Sequence, residues 1–176
     1  DTFNFPSGDR QGAGLFKFIL NIRSSYPTEP FLFKHEGIIF MTEQEIREAY
    51  NQLYCVSDDG IKGNKLEPLL AEAKKSGLKS WELLIEARLA LLNCQYDVCV
   101  NLCTSLLGRA ELTSELKAMA LISRGAACKH SEPPRIEGAI ADYTAVIEMP
   151  DVPVQQKVWA LINRGIAYKH SEPPRI

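Results

Sequence analysis

The chain repeats itself over its last third, and that repeat constrains the fold more than any other feature. Residues 117–136 read KAMALISRGAACKHSEPPRI and residues 157–176 read KVWALINRGIAYKHSEPPRI, so Ala120 recurs as Ala160 and Pro133 as Pro173, 40 residues on. Only positions 118/158, 119/159, 123/163, 126/166 and 128/168 differ. A unit of this length is a supersecondary element that cannot bury its own apolar face, so copies must stack on one another. The expected architecture is quasi-one-dimensional rather than a single globular core.

Composition narrows the class. The 176 residues are 45% hydrophobic and 24% charged, ordinary for a folded domain. A net charge of −2 gives no basic balance for a phosphate backbone, so no nucleic-acid partner is expected. No apolar run approaches the ~20 residues of a membrane span, so no membrane partner is expected either. Five cysteines without zinc-like spacing suit reduced thiols and a cytoplasmic location better than a disulfide framework. No signal peptide is present, and a start at Asp1 rather than Met leaves room for a leader or an upstream domain.

The first stretch is different material. All seven Phe residues fall at or before Phe40, among Pro6-Ser7-Gly8, Gly12-Ala13-Gly14, Pro27 and Pro30. Phe31–Lys34 and Ile38–Met41, joined through His35-Glu36-Gly37, read as a hairpin. Leu15–Ile22 reads as a short helix or a buried strand, between which periodicity cannot choose. Residues 1–41 are therefore expected to form a small irregular or β-containing cap, or the tail of a preceding domain. The glycines do not make a phosphate loop: after Gly8 the positions for Gly-Lys and a hydroxyl hold Ala13-Gly14-Leu15, and Gly12-Ala13-Gly14 lacks a third glycine.

From Thr42 the texture becomes helical. Thr42-Glu43-Gln44-Glu45 is a capping box opening a helix to about Tyr54, stopped by Ser57-Asp58-Asp59-Gly60. Asn64 is placed to cap a second helix, with Pro68 in its first turn and Ser76-Gly77 as its stop. Residues 79–93 and 96–107 carry apolar side chains at three- and four-residue spacing. Thr113 or Ser114 caps a helix to about Lys129, and further helices are expected over Arg135–Glu148 and Val154–Lys169. The fold class is all-α, a string of antiparallel helix pairs. The repeat domain is expected over 42–176, divided as 42–78 (degenerate), 79–113, 114–153 and 154–176 (partial).

These pairs resemble the tetratricopeptide repeat in a long, 40-residue form. The copy that carries the resemblance reads Leu121…Gly125…Cys128…Ala139…Tyr143…Pro150, preceded by Leu83…Ala87…Ala90…Cys99…Cys103 and followed by Leu161…Gly165…Tyr168. Gly125, Gly165 and Ala87 stand where the first helix of a pair must approach the second, and Cys99 and Ala139 answer them. Leucine at Gly165 is accordingly expected to cost more than leucine at Ser131 in the connector. Arg124 and Arg164 depart from the family, which has leucine before the glycine. No part of 1–40 takes part in the resemblance.

The resemblance implies an α-solenoid whose concave face, built from the first helix of each pair, takes a peptide or partner helix. The matching positions are Trp81, Met119 and Trp159, then Leu84, Ile122 and Ile162, then Arg88, Ala126 and Ile166. Of the Lys, Arg and Asn set that clamps peptide carboxylates in some members, Asn163 alone is present. The implied function is a protein-interaction scaffold. Two rival readings are a sensor or assembly arm of a larger bacterial signalling ATPase or protease, and a self-associating array that dimerises through helix 154–169.

No chemistry competes with this. His130/His170, Glu132/Glu172 and Arg135/Arg175 recur one repeat apart, roughly 10 Å for packed neighbouring helices and too far to share an ion. Cys94, Cys99 and Cys103 read as buried small residues, not as a thiolate site. No set of residues assembles a nucleophile, a base and an orienting group, so neither enzyme activity, cofactor nor metal is expected.

Overall fold

In the computed structural model the described residues are 34–35, 38–54 and 65–171. The expectations for Gly12-Ala13-Gly14, Leu15–Ile22, Phe31–Phe33, the Asn64 cap and the second connector beyond Ser171 lie outside them.

A two-residue antiparallel ladder sets β1 (Lys34–His35) against β2 (Ile38–Ile39), with Lys34 opposite Ile39 and His35 opposite Ile38. Seven helices follow among the described residues: α1 (Glu43–Tyr54), α2 (Leu66–Lys75), α3 (Lys79–Leu92), α4 (Tyr96–Leu107), α5 (Ser114–His130), α6 (Ile136–Glu148) and α7 (Val154–His170).

Local chemistry explains most of their ends. At α1 the Glu45 amide donates to the Thr42 hydroxyl (3.2 Å) while the Thr42 amide donates to the Glu45 carboxylate (2.8 Å), the reciprocal capping box. Gly77, at φ +68°, ends α2: its amide reaches Lys74 O and the Leu78 amide reaches Ala73 O. That is a Schellman motif, which needs a left-handed residue. The same pair of bonds closes α3, from the Cys94 amide to Leu91 O and the Gln95 amide to Ala90 O, but here the left-handed residue is Cys94 at φ +57°. Of the two caps expected for α5, Thr113 serves, accepting from the Leu116 amide at 3.2 Å.

Each of α1 to α6 packs on its successor, and α3 touches α5 as α5 touches α7. Three apolar clusters result. One joins α1, α2, α3 and α5 around Tyr50, Leu69, Trp81 and Met119. A second joins α5, α6 and α7 around Leu121, Tyr143, Val146 and Ala160. Between them a small-residue cluster of Ala87, Ala90, Cys99, Cys103 and Ala127 lets α3, α4 and α5 approach closely.

The close-approach positions behave unequally. A Cβ on Gly125 would lie 2.8 Å from Tyr143 Cε1 and 3.3 Å from Ala139 O, so this glycine is required. A Cβ on Gly165 would meet nothing within 4 Å. Ser131 is buried, its hydroxyl 2.8 Å from Cys128 O at the end of α5, and Ser171 repeats the contact with Tyr168 O at 2.8 Å. The geometry argues against the expected order of costs: leucine at Ser131 would break a buried helix end, while a Cβ at Gly165 meets nothing within 4 Å.

Candidate functional site

The repeat permits an internal comparison of α5 with α7, which are identical at nine of the 17 paired positions 114–130 and 154–170. On α5 the face carrying Ala118, Leu121, Ile122 and Gly125 is closed by α6 and α7. On α7 the equivalent residues are open. Leu121 is 6% exposed and Leu161 48%, while Ile122 is 2% exposed and Ile162 57%. Val154, Val158 and Ile166 join them, so apolar side chains at positions 154, 158, 161, 162 and 166 form one helical stripe facing solvent. The opposite face of α7, with Gln156, Ala160 and Ala167, is buried. Covering a leucine or isoleucine of the open stripe completely stabilises by about 1.5–3 kcal/mol, so an apolar surface here rewards a partner.

The expected concave ladder divides under this geometry. Trp81 is buried, its indole N–H donating to Glu43 at 3.1 Å and its ring set edge-to-face on Tyr50 at 5.7 Å. Leu84 and Met119 share its cluster, and Ile122 lies in the second one, so these four side chains build the interior. Arg88 and Ala126 are partly exposed, and Trp159 is half-buried against the second cluster. Asn163 uses its amide N–H within its own helix, donating to Trp159 O at 2.9 Å. Ile162 and Ile166 are exposed, and the structure joins them with Val154, Val158 and Leu161, which the sequence reading had not grouped with them.

Arg124 and Arg164, one repeat apart, define the rest of the site. Arg124 holds Asp142 of α6 through two parallel bonds, Nε to Oδ2 at 2.9 Å and Nη2 to Oδ1 at 2.6 Å. Its Nη1 reaches Thr104 Oγ1 of α4 at 3.4 Å, and the hydrogen bond to Asp142 raises the guanidinium pKa further. Forty residues on, Arg164 Nη1 reaches Thr144 Oγ1 of α6 at 3.3 Å, the repeat of the Thr104 contact. Among the described residues no carboxylate pairs with Arg164; its guanidinium lies 5.9 Å over the Tyr168 ring. Asp142 was the residue missed at the sequence level. Its signal was an acid in the middle of the apolar run IEGAIADYTAVIE, beside an arginine kept in both copies.

The remaining clusters are structural in character. Cys99 and Cys103 are fully buried, and the hydrogen bond to Cys99 together with burial pushes the Cys103 thiol up, as burial does for Cys128. His130 stacks on Tyr96 at 5.9 Å, and burial, then Lys129 and His170, lower its pKa. Among the described residues no group of three or more His, Cys, Asp or Glu side chains is arranged to hold a metal ion. No described helix is long and apolar enough to cross a membrane. No protein-family model, curated protein or solved structure matches the chain.

Proposed function

We propose that this chain is a helical-repeat scaffold that binds an amphipathic helix of a partner protein and performs no chemical step itself. The observation that supports the reading is the apolar stripe that α7 exposes at Val154, Val158, Leu161, Ile162 and Ile166 among the described residues. Helix-in-groove binding uses such surfaces: apolar anchors at three- and four-residue spacing give affinity, and flanking polar groups set register. The docking surface in this reading is the α7 face around Leu161, Ile162 and Ile166 rather than the ladder through Trp81 and Met119.

Selection from a library of amphipathic helical peptides tests it. Binders should protect α7 in hydrogen exchange, and Leu161→Glu with Ile162→Glu should abolish binding while keeping helical content. Recovery of no binders, or of binders whose protection maps to another helix and survives the double substitution, rejects the reading.

A further inference from the structure

We propose that Cys99 and Cys103, one turn apart on α4, form a buried two-thiolate site for a soft monovalent cation, Cu(I) in the first place and Ag(I) as its mimic. The site stands apart from the scaffold reading and does not rest on it.

Both side chains are 0% exposed, in the junction of α3, α4 and α5 among Ala87, Ala90 and Ala127. They touch: the Cys103 thiol donates to Cys99 Sγ, and the Cys99 thiol donates to Ser123 O of α5 at 3.7 Å. Packing does not demand two thiols here. The same two inward positions one repeat on, on α6, hold an alanine and a ring, Ala139 and Tyr143. Nor does the spacing suit a disulfide. Cβ atoms one helical turn apart are about 5–6 Å from each other, whereas a disulfide draws them to about 3.5–4.5 Å. A linear S–metal–S bridge with bonds of about 2.3 Å spans about 4.6 Å, which fits that spacing and leaves α4 helical.

The donor set selects the ion. Two thiols and one Cu(I) give a Cu(SR)2 anion and release two protons, with no change of oxidation state. Soft thiolates favour Cu(I) over harder cations. Zinc takes four ligands, and among the described residues no group of three or more His, Cys, Asp or Glu side chains is arranged to hold a metal ion. The complex carries one negative charge. Arg88 of α3 acts electrostatically on Cys99, and Arg124 of α5 acts on Cys103 with Asp142 opposing it, so guanidinium charge stands beside the pair. The hydrogen bond from Cys103, opposed by burial and aided by Arg88, already lowers the Cys99 thiol pKa, which eases loss of the first proton. Loading requires a local opening of α4, whose outer face at Asp97, Val98, Asn101 and Thr104 is exposed.

The probe is Cu(I) itself, offered anaerobically to the full chain carrying Cys55→Ser and Cys94→Ser, in competition with a chromophoric Cu(I) chelator. The chain should withdraw one equivalent of Cu(I), and X-ray absorption of the loaded chain should show two sulfur neighbours on copper. Cys99→Ala and Cys103→Ala should each weaken binding at least tenfold, while Cys128→Ala leaves it unchanged. Circular dichroism checks that the variants fold, and Cys99→Ser or Cys103→Ser takes the place of an alanine variant that does not. Excess Zn(II) should not displace the bound Cu(I). The proposal is overturned if the chain withdraws no Cu(I), if copper has three or more neighbours, or if Zn(II) displaces it. Binding that survives Cys99→Ala or Cys103→Ala, or that Cys128→Ala weakens equally, overturns it as well.

Discussion

Arg124 and Asp142 lie on adjacent helices and form a two-bond pair, with Nη2 to Oδ1 at 2.6 Å and Nε to Oδ2 at 2.9 Å, on a carboxylate that is almost wholly buried. This pair pins α6 to α5 in a register that apolar contacts alone leave free to slip. A bidentate arginine has a preferred direction of approach, whereas an apolar contact does not.

Removing one member strands the other. Asp142→Ala should cost about 2–3 kcal/mol in urea unfolding, below the value for a fully buried pair because Arg124 keeps some contact with solvent. A double-mutant cycle with Arg124→Ala should return a coupling of about 1.5–3 kcal/mol. Arg164→Ala, at the equivalent position without a carboxylate among the described residues, should change stability by less than about 0.5 kcal/mol. A coupling near zero would mean the pair is incidental to α5–α6 packing.

The two repeat glycines should respond with opposite signs. Gly125→Ala places a methyl 2.8 Å from the Tyr143 ring, which is itself fully buried, and should destabilise by about 1–3 kcal/mol. Gly165→Ala meets nothing within 4 Å and should stabilise by about 0.5–1 kcal/mol through helix propensity. Melting curves of the two variants measure the contrast, and equal shifts would contradict the packing described for α7.

Trp81 is a core residue tied to α1. Trp81→Ala should cost about 3–5 kcal/mol. Trp81→Phe, which keeps the ring contact with Tyr50 and loses the bond to Glu43, should cost about 1–2 kcal/mol. Iodide quenching should reach Trp159 and spare Trp81; a Trp81 quenched as strongly would place it at the surface.

Cys94 holds a left-handed conformation in which a side chain is strained, and it closes α3 in the way Gly77 closes α2. Cys94→Gly should therefore stabilise the chain by about 1 kcal/mol, the relief of strain exceeding the added freedom of the unfolded state. An unchanged or lower urea midpoint would show that the backbone there is unstrained.

Much of the helical order could be read from residues alone. The capping box at Thr42, the glycine stop at Gly77 and the break after Glu148 are local: each depends on hydrogen bonds a few residues apart, so the residues that make them are neighbours in sequence. Gly125 and Ala139 were likewise legible as a close approach, whereas a Cβ on Gly165, read in the same way, meets nothing within 4 Å. The Schellman turn at Cys94 escaped, since nothing in a cysteine announces a positive φ.

The site was another matter. Trp81, Met119, Trp159, Ile162 and Ile166 share one periodic pattern, and periodicity states which face a residue lies on without stating what covers that face. Leu121 and Leu161 are the same residue in the same local sequence, yet one is interior and the other faces solvent. The amino-acid sequence by itself determined the helices, their ends and the 40-residue period that pairs them. Only the tertiary structure decided how far each copy of the shared face is covered among the described residues, because burial belongs to the neighbour that arrives: α6 closes on Gly125, and no described atom lies within 4 Å of a Cβ on Gly165.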